Sequence, residues 1–201
     1  MRRQLPLFSD DRPLPEGLSY TAEFLTIAEE RDLIDRVASL PLAPFQFGVY
    51  EGKRRVVTFG TRYDFTHQRL EPADELPEWL LPVARRTEDA AGIAPGSIRH
   101  ALCTEYAVGA GIGWHRDKKQ FGEVFGLSLA SDCAIRFRRK SGSTWRRFTL
   151  PCAARSLYAL RGPARAVWEH SIAPVAQTRY SITFRTMAER IDDEGRAARR
   201  E

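Results

Sequence analysis

The chain has 201 residues, of which 43% are hydrophobic, and this is enough for one domain with a substantial core. Its formal net charge of +5 favours a polyanionic partner such as a nucleic acid. Three widely spaced cysteines argue against a disulfide framework or a zinc site, and no apolar run is long enough to span a membrane. We therefore expect a cytoplasmic protein without a membrane partner. We also expect a monomer.

Residues 1–13 are predicted to form an extended tail with a short apolar motif. Its residues are Gln4, Leu5, Leu7 and Phe8, and this pattern resembles the peptide with which bacterial DNA polymerases and repair proteins bind their sliding clamp. Two interpretations stay open, because these apolar side chains must be buried somewhere. They enter a pocket on a sliding clamp, or they pack against the chain's own domain.

The N-terminal half predicts a strand and two helices. Residues 17–25 have the apolar spacing of a short strand. The next segment begins with a capping box, in which Thr26 stands three residues before Glu29, and this predicts the start of a helix. A second helix is predicted over residues 77–91, because Gly92 follows it at the position where helices commonly end.

The segment between these helices predicts a hairpin over residues 45–60, with its turn at Glu51-Gly52, followed by a loop over residues 60–76. Aromatic and basic residues are mixed along this stretch. Those that suit contact with a nucleic acid are Arg55, Phe59, Arg62, Tyr63 and Phe65. In the alternative interpretation, the cations form a solvated tip and the aromatic side chains pack inward.

From Ile98 onward the pattern changes to many short strands separated by turn residues. The predicted strands cover residues 98–107, 112–116, 123–131, 133–139, 144–150, 155–161, 166–172 and 178–187. Eight strands with helices packed outside indicate an α+β fold with a jelly-roll core, the double-stranded β-helix.

One predicted strand end carries a possible metal-binding pair. His115 and Asp117 are two residues apart, so on an extended segment their side chains point to the same side. His170, far downstream, can complete a set of three ligands. Two imidazoles and one carboxylate are typical of non-haem Fe(II) oxygenases. Taken alone, the pair is also compatible with a surface histidine and an unrelated aspartate.

The last predicted strand carries two arginines on one face. Arg179, Ser181, Thr183 and Arg185 alternate with apolar residues, so they all point to the same side. Two arginines beside a metal require an anion between them. A dicarboxylate fits, because one end can chelate the metal while an arginine fork holds the other. The alternative is an ordinary amphipathic strand with a solvated polar face.

The combination of these motifs is more specific than any one of them. Its residues are Tyr106, His115, Asp117, His170, Arg179, Ser181 and Arg185. The pattern resembles the AlkB family of Fe(II)- and 2-oxoglutarate-dependent dioxygenases, closely over residues 98–187 and loosely over residues 14–97. Members of that family oxidatively remove alkyl groups from nucleobases. The resemblance therefore implies repair of N-alkylated DNA, with release of an aldehyde, succinate and CO2.

The resemblance also implies roles for individual residues. Fe(II) is expected to bind to His115, Asp117 and His170. Arg179 is expected to bind the distal carboxylate of 2-oxoglutarate, and O2 is the second cosubstrate. Further cosubstrate contacts are expected from Thr104, Tyr106, Ser181 and Arg185. The best-known members have Asn in place of Thr104, and a hydroxyl cannot reproduce both hydrogen bonds of an amide.

The expected domain organisation follows from the same resemblance. Residues 14–190 are expected to form a single dioxygenase domain, with a nucleotide-recognition lid at about 45–76 and the jelly-roll core at about 98–187. Residues 191–201 form a charged tail. The lid is expected to hold the target nucleotide over the iron, where aromatic faces stack on an extruded base.

The expected contacts with nucleic acid extend beyond the lid. Lys119 stands where well-studied members carry an acidic residue that helps to read the base. A basic hairpin around residues 136–147 contributes Arg138 and Arg146, although charged residues there also suit a protected sheet edge. Two alternatives remain: the same chemistry on RNA or protein side chains, and a non-catalytic module that binds nucleic acid or a clamp.

Overall fold

The computed structural model describes residues 13–47, 50–64, 67 and 69–188. Outside this part of the chain lie the charged segment 191–201 and the predicted clamp-binding residues Gln4, Leu5, Leu7 and Phe8. Among the described residues, every helix is too short or too polar to cross a bilayer.

Strands dominate the described residues, and three α-helices accompany them. The strands are β1 (Leu18–Thr21), β2 (Ala43–Phe47), β3 (Tyr50–Phe59), β4 (Thr61–Asp64), β5 (Arg69–Pro72), β6 (Ile98–Tyr106), β7 (Ile112–His115), β8 (Phe121–Leu129), β9 (Cys133–Ser141), β10 (Thr144–Cys152), β11 (Ser156–Leu160), β12 (Glu169–Ile172) and β13 (Arg179–Met187). The helices are α1 (Ile27–Ala38), α2 (Leu81–Ala91) and α3 (Gly162–Ala166).

The strands form two facing sheets and one small hairpin. The larger sheet has the order β1-β11-β8-β13-β6-β3-β2, the smaller has the order β10-β9-β12-β7, and β4 pairs with β5. Val124 and Tyr158 of the larger sheet share a buried cluster with Ile135 and Phe137 of the smaller. The two sheets therefore enclose one core, and the predicted jelly-roll fold is confirmed.

Helices α1 and α2 cover the other face of the larger sheet. Val37 of α1 and Val83 of α2 share a buried cluster with Phe184 of the sheet. Helix α1 begins at the predicted capping box: the Thr26 hydroxyl accepts from the Glu29 N–H at 3.2 Å, and the Glu29 carboxylate accepts from the Thr26 N–H at 2.7 Å. The amphipathic pattern thus directs one side of each helix onto the sheet.

The predicted turn at Glu51-Gly52 is wrong, because both residues lie within β3, which begins at Tyr50. A glycine stands at this position because two strands approach each other closely. A side-chain carbon on Gly52 would lie 3.3 Å from the Phe45 carbonyl oxygen of β2, next to an irregularity in the pairing of the two strands. The glycine is therefore required by close backbone contact within a strand rather than by a turn.

Two other predicted boundaries differ from the structure. The predicted loop 60–76 contains the paired strands β4 and β5. The predicted strand 166–172 begins only at Glu169, because α3 occupies the preceding residues. Pro163 stands in the first turn of α3, where its missing N–H costs no hydrogen bond.

Strand β13 lies between β6 and β8 in the larger sheet and carries a different chemistry on each face. Ile182 and Phe184 are fully buried in the core beneath the helices. Thr183 and Arg185 face the opposite side and line a cavity between the sheets. The alternation predicted for this strand is therefore confirmed.

We expect Gly126→Ala to destabilise the fold by about 1–3 kcal/mol, as overpacked cores do. Gly126 of β8 lies opposite Tyr158 of β11, and a side-chain carbon at this position would overlap the tyrosine ring. Urea denaturation measures the change. Gly113→Ala is the matched control, because a side-chain carbon at Gly113 meets no atom within 4 Å. Equal unfolding midpoints for the two variants would contradict the predicted overlap.

Candidate active site

A cavity of about 670 Å³ opens between the two sheets. Strands β3, β6 and β13 line it on one side, and β7 and β12 line it on the other. The β6 residues that face it are His100, Leu102, Thr104 and Tyr106. Because sheet side chains surround this space, a group bound at its base is shielded from water, which strengthens its electrostatic interactions.

The three predicted metal ligands meet in this cavity. Pairing of β7 with β12 places His115 opposite His170, with ring centroids 4.3 Å apart. Asp117 follows β7, and its Oδ2 lies 3.5 Å from Nε2 of His170. One ligand atom from each of the three residues lies within 4.8 Å of the others. This donor set suits a single Fe(II) ion and leaves coordination positions open.

The protonation states of these residues also suit metal binding. Nδ1 of His115 donates to the Gly113 carbonyl oxygen at 2.8 Å, so Nε2 retains its lone pair. Burial, reinforced by the neighbouring His115, lowers the pKa of His170 to about 3. Burial alone would raise the pKa of Asp117, but Arg185 holds it well below its usual range. Burial lowers the pKa of His115 as well. Both imidazoles are therefore neutral and the carboxylate is charged at pH 7, which are the protonation states that metal binding requires.

Arg185 holds the aspartate in place. Its Nε and Nη2 lie 2.8 and 2.6 Å from Oδ1 of Asp117, while Oδ2 is directed at His170. Its Nη1 donates to Nδ1 of His100 at 3.2 Å. The resemblance implied a contact between Arg185 and the cosubstrate. In the structure, the guanidinium group contacts the Asp117 carboxylate and the His100 imidazole.

Arg179 is a buried cation with unused hydrogen-bond donors. The residue is 0% exposed, and its Nε donates to the Ser128 hydroxyl at 3.1 Å. Its Nη1 and Nη2 have no hydrogen-bond partner among the residues that the structure describes. Its guanidinium carbon lies 5.1 Å from the ring centroid of Tyr106. A buried guanidinium with two free donors is matched by a carboxylate, so the site fits a dicarboxylate such as 2-oxoglutarate.

Small hydroxyl residues surround this cation. Ser181 of β13 pairs with Thr104 of β6 on one side and with Ser128 of β8 on the other, and all three are buried. Tyr106 pairs with Arg179 across the same two strands. Three of the residues expected to contact the cosubstrate, Thr104, Tyr106 and Ser181, are thus brought together around Arg179, and Ser128 is an addition that the sequence did not identify.

A second arginine that the sequence did not identify supports the metal-binding turn. Arg165 of α3 donates to the carbonyl oxygens of Asp117, Lys118, Phe121 and Gly122, at distances of 2.7 to 3.3 Å. These four contacts fix the backbone that follows the aspartate ligand. Arg165 lies in the short helix α3 and belongs to no motif, so its role depends entirely on the tertiary fold.

The rim of the cavity is aromatic and basic. Tyr63 of β4 lies 4.7 Å from the Lys118 ammonium group, measured to the ring centroid, and Trp114 lines the same opening. Arg54 of β3 also lines the cavity. Of the other predicted lid contacts, Arg62 lies on β4 but its side chain is outside the described part of the chain, as is Phe65.

Two predicted lid contacts, Arg55 and Phe59, are corrected by the structure. Both belong to the face of β3 that is turned away from the cavity, whereas Arg54 faces it. Arg55 pairs with Glu105 at 3.4 Å and donates to the Leu42 carbonyl oxygen at 2.9 Å. Phe59 is buried in the core beneath the helices. Phe59 is therefore unavailable to a bound base, whereas Arg55 is exposed but lies on the face of β3 opposite the cavity.

The remaining predicted contacts lie on different surfaces. Lys119 is exposed and borders a separate groove, whereas its neighbour Lys118 lines the cavity. Arg138 and Arg146 are not paired across the basic hairpin; Arg146 pairs with Arg139, and Arg138 pairs with Arg147. Because side chains alternate along each strand, Arg138 and Arg146 project from opposite faces of the smaller sheet.

Comparison with known proteins identifies the class of this site. The family model described as the 2OG-Fe(II) oxygenase superfamily matches residues 17–185. The chain is 31% identical over 183 residues to the "Alkylated DNA repair protein ALKBH8 homolog" of Arabidopsis thaliana, covering 78% of this chain and 50% of that protein. It is 28% identical over 170 residues to the mouse "tRNA (carboxymethyluridine(34)-5-O)-methyltransferase ALKBH8", covering 80% of this chain and 25% of that protein.

Solved structures show the same fold at low sequence identity. OsALKBH1 matches with a TM-score of 0.68 and 15% identity, over 87% of this chain and 99% of that one. A Pseudomonas putida prolyl-4-hydroxylase matches with a TM-score of 0.57 and 14% identity, covering 86% of this chain and 93% of that one.

The chain belongs to the 2OG-Fe(II) oxygenase superfamily, since the family model covers most of its length. Its AlkB-type character is confirmed by the AlkB-type relatives in plant and mouse. Dioxygenases of this superfamily use Fe(II), 2-oxoglutarate and O2, which are the cofactor and cosubstrates expected from the sequence. The chain spans half of the plant relative and a quarter of the mouse relative.

We expect Arg179→Gln to weaken 2-oxoglutarate binding about 10- to 100-fold, because hydrogen bonds to charged groups contribute about 1.5–3 kcal/mol. Affinity for the metal should stay unchanged. Anaerobic calorimetric titration of the metal-free protein with Fe(II), and of the metal-loaded protein with 2-oxoglutarate, measures the two constants. Arg85→Gln on the exposed side of α2 is the matched control. Unchanged 2-oxoglutarate affinity in the Arg179 variant would show that the anion binds elsewhere.

We expect the metal-free protein to lose stability as pH falls below about 6.5, the usual pKa of histidine in an unfolded chain. Burial, with the nearby Arg185, lowers the pKa of His100 in the folded state. The unfolded chain therefore takes up a proton at His100 that the folded chain does not bind. Each such histidine lowers the free energy of unfolding by about 1.4 kcal/mol for every pH unit below about 6.5.

The variant His100→Gln isolates this contribution. Between pH 6 and pH 5, its unfolding free energy should fall less steeply than that of the parent, by about 1.4 kcal/mol per pH unit. Urea denaturation at constant ionic strength measures both slopes. Identical slopes would mean that His100 takes up a proton in the folded state.

Proposed function

We propose that this dioxygenase removes alkyl groups from N-alkylated bases in DNA and releases an aldehyde, succinate and CO2. The observation that carries the proposal is the composition of one cavity. It holds the His-Asp-His set and Tyr106, whose ring lies beside the buried, partly unpaired Arg179, and its rim holds aromatic and cationic side chains. A negatively charged polymer with flat bases matches that rim.

In this proposal His115, Asp117 and His170 hold Fe(II), and Arg179 holds the distal carboxylate of 2-oxoglutarate. When bound, Fe(II) and 2-oxoglutarate would activate O2, which supplies the oxidising equivalents for hydroxylating a carbon attached to a base nitrogen. The chain contributes position and charge. Arg185 keeps the Asp117 carboxylate ionised and oriented, and the sheets exclude water from the reacting groups.

The rim residues receive the target base. Tyr63 and Trp114 offer aromatic faces, and Lys118 and Arg54 offer cations to the flanking phosphates. Glu51 also lines the cavity and suits a base that carries a positive charge. Alkylated bases such as 1-methyladenine and 3-methylcytosine pair poorly, so they leave a duplex at low cost.

We further propose the organisation expected from the sequence: a catalytic domain over residues 14–190, with a nucleotide-recognition lid within residues 45–76. The cavity-lining position of Tyr63 supports the lid. Clamp binding by Gln4–Phe8, a monomeric state and a cytoplasmic location complete the hypothesis.

RNA is the second candidate substrate. The mouse relative is named as a tRNA methyltransferase, and its similarity covers 80% of this chain. Thr104 and Lys119, which depart from the best-known DNA-repair members, are also compatible with a different nucleic acid.

The test is a panel of synthetic oligonucleotides that carry methylated or etheno-bridged bases, as DNA and RNA, single- and double-stranded. We expect loss of the alkyl group by mass spectrometry, with stoichiometric succinate, only when Fe(II) and 2-oxoglutarate are present. His115→Ala should abolish both products, because it removes one of the proposed ligands. Turnover confined to RNA would show that RNA, rather than DNA, is the substrate. No turnover on any alkylated strand would contradict the proposal.

A further inference from the structure

The outer face of the smaller sheet carries an ordered stack of indoles and cations. The Arg138 guanidinium carbon lies 4.4 Å from the ring centroid of Trp114 and 4.4 Å from that of Trp145. Arg136 lies 5.3 Å from Trp114, and the Lys140 ammonium nitrogen lies 6.0 Å from Trp145. We call these five residues the stacked platform. Cation–π contacts hold its cations in fixed positions.

Strand alternation explains why these side chains lie on the outer face. Ile135 and Phe137 of β9 are buried between the sheets, so the residues that alternate with them point outward. Arg147 of β10 pairs with Arg138 and therefore joins the same face. His170 points inward from β12, and the platform is thus the reverse side of the strands that carry the proposed metal ligands.

The platform has a strong positive balance. Glu169 is the one carboxylate at the outward positions of the four strands, all of which lie in the described part of the chain. It accepts from Nε of Arg138 at 2.7 Å and lies 3.9 Å from Arg116. The cations on or beside this face are Arg116, Arg136, Arg138, Lys140 and Arg147. This excess of positive charge favours an anionic partner.

The platform is continuous with the mouth of the active-site cavity. Trp114 contacts Arg138 on the platform and also lines the cavity, as does Arg116. A nucleic-acid strand with one nucleotide in the cavity can therefore place a flanking nucleotide at Trp114. Arg138 and Trp145 lie next along the same sheet surface.

Edge protection does not explain this face. Cations on an edge strand prevent unwanted pairing with another sheet, and β10 is such an edge. The cations Arg136 and Arg138 lie on β9, however, which is paired on both sides with β10 and β12. An interior strand needs no such protection, and repulsion of other strands gives no role to Trp145.

We propose that the stacked platform binds the single-stranded DNA that flanks the target base. The inference rests on the proposed function, in which the target base belongs to DNA. Phosphates pair with the cations, while bases stack on the indoles and on the guanidinium planes. This contact depends little on base identity, because every base has a flat face.

The test uses the full chain and an unmodified, labelled oligothymidylate, with affinity measured by fluorescence anisotropy. Trp145→Ala should weaken binding at least about five-fold, as expected for the loss of one stacked base. Trp145→Phe should retain most of the affinity but reduce the quenching of tryptophan fluorescence on binding. Arg147→Ala should lower the slope of log affinity against log salt by about 0.7, the value for one phosphate on a single strand. Arg31→Ala on α1 is the matched charge control.

The outcomes separate this inference from the proposed function. Parent-like affinity and salt dependence in folded Trp145→Ala and Arg147→Ala proteins would overturn the platform while leaving the enzyme proposal intact. Equal displacement of the oligonucleotide by polyglutamate, or binding of RNA alone, would also overturn it. Conversely, if no alkylated oligonucleotide is oxidised but binding still depends on Trp145, the proposed reaction fails and the DNA-binding face stands.

Discussion

The ion pair between Arg185 and Asp117 is the interaction on which this site depends. Asp117 is almost fully buried, and a buried carboxylate without a cation is strongly unfavourable. Arg185 meets one carboxylate oxygen with two nitrogen atoms, so the other oxygen is left facing His170. The pair therefore keeps the carboxylate charged and also directs it. Arg165 adds a second constraint by fixing the backbone from which Asp117 projects.

Strand β13 connects this electrostatic centre with the stability of the fold. Its apolar face lies in the core beneath the helices, and its polar face supplies both Arg179 and Arg185. Since β13 is held between β6 and β8, the two guanidinium groups cannot move apart without breaking a central strand of the larger sheet. A rigid strand is a suitable support for groups that must keep fixed distances from a metal and an anion.

Much of the site was predictable because its signals are local. Alternation along β13 placed Arg179 and Arg185 on one face, and the capping box located the start of α1. Arg55 and Phe59 lie away from the cavity for one shared reason. Strand β3 begins at Tyr50 and presents Arg54 to the cavity. Residues one position away therefore lie on its opposite face. A shift of one residue reverses every side chain of a strand.

The sequence by itself determined the donor types and their spacing along each strand, because residue chemistry and a period of two are properties of short segments. The resemblance of the combined motif to a known family indicated the class of oxygenase. Only the tertiary structure decided which charges meet. The β7–β12 register places His115 against His170, and the fold brings Arg165 to the turn after Asp117. It also separates Arg146 from the platform formed by Arg138 and its neighbours. Such contacts join residues far apart in the chain, and their geometry is set by strand order and register rather than by any local pattern.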